Sequence, residues 1–151
     1  MYSPKSIRDR YVTGTLETAS AMQIVCMAYD RLDRDLAQAI EAIEARDIER
    51  SHTTLIHAQE LVEQLNIMLD LNAWDQSQSL AAIYAYVGDL LAKANMKKSV
   101  PPVREARHLL SELGTAFAGA AASVQRASVL TTPEPAGPGQ PFPERRLSVQ
   151  A

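Results

Sequence analysis

Two Glu-x-x-His pairs, Glu49 with His52 and Glu105 with His108, are the residues of this 151-residue chain best placed to do chemistry. Di-iron bundle proteins take one such pair from each of two helices and one inward Glu from each of the other two. Here the rest of the set is wanting. Glu105 and His108 fall opposite the apolar row of Val103, Ala106 and Leu110, and the stretch between residues 77 and 97 offers only Asp89 as an acid. Both pairs read as solvent-facing, with a metal-dependent bundle enzyme as the alternative. His52 and His57, five apart, miss the same-face spacing of a zinc helix. Cys26 is the one cysteine, so no intramolecular disulfide forms, and it reads as a small helix residue. No phosphate loop, paired-cysteine site or nucleophile elbow occurs. No catalytic residue, metal or cofactor is expected.

The elements that carry these residues share one spacing, alternating steps of three and four. Met22, Val25, Tyr29, Leu32, Leu36, Ala39 and Ile43 follow it, as do Ile48, Ser51, Leu55, Ala58, Val62, Leu65 and Leu69. Leu80, Ile83, Val87, Leu90 and Ala94 form a third set, and Val103, Ala106, Leu110, Leu113, Phe117, Ala120 and Val124 a fourth. Each set is an apolar seam along an α-helix. Ser20, Asp47, Asp75 or Ser77, and Ser99 are the expected starts, Pro101 and Pro102 being tolerated only in a first turn. Short gaps make neighbours antiparallel. The fold class is all-α, an up-down four-helix bundle.

Residues 1–19 are expected as an N-terminal arm, because Thr13, Gly14, Thr15 and Thr18 favour an extended or turning chain. Ser3 and Pro4 are expected to open one short helical turn there, through Tyr11. Residues 20–127 form the bundle. Residues 128–151, with five prolines from Pro133 to Pro143, read as a disordered tail. A net charge of -3 with interleaved signs excludes a nucleic-acid face. No apolar run approaches the roughly 18 residues of a membrane span, and the N-terminus lacks a signal-peptide block, so the expected location is the cytoplasm.

Most apolar positions belong to the bundle's own core, yet there is a surplus. Ile24 and Met27, then Ile56, Leu61 and Met68, then Tyr84, Tyr86 and Leu91 lie off or beside the seams. Such stripes predict a groove for another segment, a partner helix or the chain's own arm, whose Tyr11 and Leu16 are too apolar for water. An arm tethered beside a groove acts at a millimolar-scale effective concentration and can mask it.

The order TAS at 18–20, MAYD at 27–30, AIEARDIER at 42–50, LNIMLD at 65–70, IYAY at 83–86 and LLAKAN at 90–95 resembles the flagellar export chaperone family FliS. The resemblance runs from about Tyr11 to Phe117. It implies a helical bundle without enzymatic activity that binds the C-terminal segment of flagellin, prevents premature polymerisation and assists delivery to a component of the flagellar export gate. It also implies that the arm lies over client surface when no client is present. Tyr11, Leu16, Ile24, Met27, Ile56, Leu61, Met68, Tyr84 and Leu91 are the candidates for that surface, and Asn95 is expected to close the third helix. Where the family has a Gly after MLYD, this chain has Arg31, expected to narrow the groove beside the first helix. A purely oligomerising bundle is the other class of reading, and the sequence leaves a homodimer open.

Overall fold

The described residues form four helices: α1 Pro4–Glu44, α2 Ile48–Met68, α3 Ser77–Lys97 and α4 Val100–Leu130. The computed structural model describes residues 4–72 and 75–130, with side chains from Ser20 onward. Most of the expected 128–151 tail lies outside the described residues, and α4 carries three of its residues, through Leu130.

The largest departure from expectation is at the start. α1 does not begin at Ser20; its backbone is helical from Pro4, and the stretch expected to be extended continues the first rod. Pro4 suits a first turn because its missing N–H has no intrahelical acceptor there. Thr13, Gly14 and Thr15 are poor helix formers, but a helix already nucleated adds each residue at small cost.

At the next boundary sequence and structure agree. Asp47 caps α2, its carboxylate accepting from the Arg50 amide at 3.0 Å. The tight α1–α2 turn holds Arg46 at φ 56°, a left-handed conformation that suits glycine better. α3 departs in two details. Gln76, not Asp75 or Ser77, occupies its cap, and no side chain completes it. Ser77 is instead the first helical residue, buried, its hydroxyl without a hydrogen-bond partner among the described residues. Lys98, at φ 48°, closes α3, while Asn95 lies inside it. α4 opens after Ser99 with both prolines in its first turn.

Each helix packs on the next, and α4 returns to α1, so α1 and α3 stand on one diagonal and α2 and α4 on the other. Leu32 and Leu36, Leu55 and Val62, Val87 and Leu91, and Val103 and Leu110 fill the centre, one pair from each helix. Each contributes about 1.5–3 kcal/mol by leaving water. Across the α1–α3 diagonal the Tyr29 and Tyr84 hydroxyls share a hydrogen bond at 2.6 Å. Burial pushes both phenol pKa values up. Tyr29 also stacks on Phe117 of α4, ring centroids 5.4 Å apart. Gly114 permits this approach, because a Cβ there would come within 3.3 Å of Tyr29 Cβ.

Candidate functional site

The residues with chemical potential do not assemble. Glu105 accepts from the Tyr86 hydroxyl, which pushes the Tyr86 phenol pKa up. His108 is exposed beside Glu112 at 3.5 Å. His52 Nδ1 lies 3.0 Å from the Asn95 amide nitrogen, while Lys98 Nζ donates to Asn95 Oδ1 at 2.8 Å, a chain that ties α2 to the end of α3. Among the described residues no three His, Cys, Asp or Glu side chains group as a metal would require.

What the bundle offers is surface, ordered by the seam between α1 and α2. Asp35 of α1 is buried, and its two oxygens accept from His57 Nδ1 at 2.5 Å and from Arg31 Nε at 3.1 Å. A carboxylate taken from water needs such donors to offset its desolvation. Glu41 and Arg50, 3.7 Å apart, hold the same antiparallel register. Steps of four and three along that register, from Asp35 back to Ile24 and from His57 on to Met68, bring Arg31 level with Leu61 and Ile24 level with Met68. Arg31 thus stands on this seam, where the sequence expects it to narrow the groove, held by its pair with Asp35.

The candidate residues divide accordingly. Ile24 and Met68 are 54% and 53% exposed at the far end of this seam, with Leu61 half-buried one step inside. Ile67 and Leu71, also exposed, enlarge the same end. The sequence reading passes over them, although they lie off the three-four rows as Met68 does; their signal is the dense apolar run LNIMLDLNAW. Met27 faces elsewhere, onto a cleft of about 770 Å³ between α1 and α4 walled by Cys26, Ala118 and Ala122. Ile56, four residues from His52, sits toward α3. A further apolar cleft, about 590 Å³, opens between α3 and α4 among Leu80, Ile83, Leu113 and Phe117. Tyr84 and Leu91 are corrected: both are core residues, 3% and 0% exposed, because α3 packs between two neighbours and buries a face wide enough to take them in beside Leu90. Tyr11 and Leu16 lie in the leading part of α1, where the backbone alone is described.

The α1–α4 seam is polar at mid-height. Arg107 grips Asp33 through two bonds, of 2.7 and 3.1 Å. That contact holds the Asp33 carboxyl below its ordinary pKa and raises that of Arg107. Among the described residues no helix is long and apolar enough to cross a membrane.

Apolar clefts thus open between α1 and α4 and between α3 and α4, and no metal-type grouping occurs among the described residues. The family model described as "Flagellar protein FliS" matches residues 4–124, and the chain belongs to the FliS family, a family of chaperones and not of enzymes. The flagellar secretion chaperone FliS of Bacillus subtilis (strain 168) is 29% identical over 107 residues, which cover 71% of this chain and 80% of that protein.

Proposed function

We propose that this protein is a cytoplasmic export chaperone that binds the C-terminal segment of flagellin, keeps it from polymerising early and assists its delivery to the flagellar type III export apparatus. The match over residues 4–124 carries the reading. The apolar end formed by Ile24, Leu61, Met68 and their neighbours supports it physically. A client segment that folds onto the bundle gives up about 2–5 kcal/mol of chain entropy, and apolar burial in the clefts is the term large enough to offset that. Because Met27, Ile56 and the α3–α4 cleft face different sides, the client wraps the bundle and does not fill one groove.

The leading segment with Tyr11 and Leu16 competes for part of this surface. To do so it must leave its helical form, and Thr13–Thr15 is the weakest place in that helix. Deleting residues 1–18 then raises client affinity or leaves it unchanged; a large loss would place the segment in the client site. The central experiment mixes the protein with a flagellin C-terminal peptide and follows co-elution and peptide helicity. Wild type binds and induces helix, and Ile24→Lys with Met68→Lys weakens binding more than about tenfold, or 1.4 kcal/mol. No binding by wild type would overturn the function, and full binding by the double variant would overturn the surface.

A further inference from the structure

The clefts along α4 join into one. At its tip Val129 and Leu130 border a cleft of about 590 Å³, which shares Ala122 and Gln125 with the cleft that Met27 faces. The Met27 cleft in turn shares Cys26, Asp30 and Ala118 with a third, about 630 Å³, which runs up to Asp33 and Arg107. The result is a furrow along α4, walled by α1 over most of its length, that starts where the described chain leaves its last helix. Gly114, Ala118 and Ala122, four apart on one face, keep its floor low enough for another main chain to approach closely.

Two charges on the furrow are unanswered. The Asp30 carboxylate has no partner among the described residues; only the Asp30 carbonyl is engaged, by Arg34 Nε at 3.3 Å. Arg126, nearer the tip, meets no carboxylate among the described residues, and its Nε reaches the Ala122 carbonyl at 3.4 Å. We infer that the chain's own segment after Leu130 folds back into this furrow, with Glu134 toward Arg126, Phe142 in the cleft beside Met27, and Arg145 and Arg146 toward Asp30. The docking stands apart from the flagellin reading.

Order, reach and stiffness favour this occupant. On the furrow the cation stands nearer the tip than the anion, and along the segment Glu134 precedes Arg145 and Arg146, so a chain climbing from Leu130 meets opposite charge twice. From Leu130 back to the level of Ala118 is 12 residues of helix, roughly 18 Å. The 15 residues from Leu130 to Arg145 span about 46 Å in polyproline II form, which leaves slack for the reversal. Five prolines from Pro133 to Pro143 restrict the segment's backbone in any state, so docking costs it less chain entropy. A polyproline II chain leaves its carbonyls without internal partners, and the side-chain amides of Gln23 and Gln125 line the furrow as donors for them. Tethered at a millimolar-scale effective concentration, the segment needs a dissociation constant of only about 0.1 mM to be docked about nine-tenths of the time.

The full chain tests this without any client. Cys26, half-buried on the furrow, is the one cysteine, so its rate of reaction with a neutral aromatic disulfide reads how far the furrow is covered. Wild type is expected to react about tenfold more slowly than Arg145→Glu with Arg146→Glu, at equal helicity. Asp30→Arg alone should be unprotected as well. Combining all three changes should restore protection, measured against Asp30→Arg alone, because the pair is rebuilt with its signs exchanged. Protection should be independent of protein concentration and weaken in high salt. Equal rates in wild type and the doubly reversed variant overturn the inference, as does a triple variant as fast as Asp30→Arg alone. Protection that disappears on dilution also overturns it, since a second copy then covers the furrow.

Discussion

Tyr84 shows how little of a buried contact is visible along the chain. It stands 55 residues from Tyr29, and only the diagonal placement of their helices makes the hydroxyls partners. Tyr84→Phe leaves the buried Tyr29 hydroxyl alone and should cost about 1–3 kcal/mol, whereas the double change Tyr29→Phe with Tyr84→Phe recovers part of that. Chemical denaturation of the three variants reads the difference. Asp35 and His57 follow the same logic. No spacing rule joins residues 22 apart, so the sequence reads His57 only as a failed zinc ligand. Asp33 supplies a pH effect whose sign is fixed. Its carboxyl is depressed by Arg107, so its stabilisation is complete above the ordinary carboxylate pKa and is lost as pH falls through the depressed value. The pair is half exposed and its contribution small. Asp33→Asn should therefore leave the thermal midpoint near that of wild type under strong acid and lower it slightly at neutral pH.

Helices were the legible part, and their ends less so. The three-four rows placed all four rods, because an amphipathic bundle helix must repeat its apolar face with that period. Asp47 was legible as a cap because capping is local: one carboxylate and an amide three residues on. The start of α1 was not, since Thr13 and Gly14 announce a break that the helix already formed behind them overrides. On α3 the rows Leu80–Ile83–Val87–Leu90 and Leu80–Tyr84–Val87–Leu91 fit the period about equally well, and the neighbours on both sides bury both, leaving Ile83 half-buried at the edge. The α1–α2 turn yields a prediction of its own. Arg46 holds φ 56° without being a glycine. Arg46→Gly should stabilise by about 1 kcal/mol, raising the thermal midpoint by roughly 2–4 °C in a calorimetric scan.

Taken whole, the molecule keeps its core and its outward apolar surface separate, and stability measurements can tell them apart. Leu36→Ala, at 0% exposure, should cost about 2–5 kcal/mol, while Ile24→Lys and Met68→Lys should stay within about 0.5 kcal/mol of wild type. Thermal scans of these variants check whether the Ile24–Met68 end is available to a partner or already used by the fold. The hydroxyl pair between α1 and α3 has a last consequence at this scale. A phenol gives up its proton more readily in the unfolded chain than inside the bundle, so folding stability falls as pH rises past the ordinary tyrosine value. In alkali, two of the five tyrosines should stay silent in the near-ultraviolet phenolate spectrum until the four rods part, and then ionise together. The protein would thus signal the opening of its own centre without any attached label.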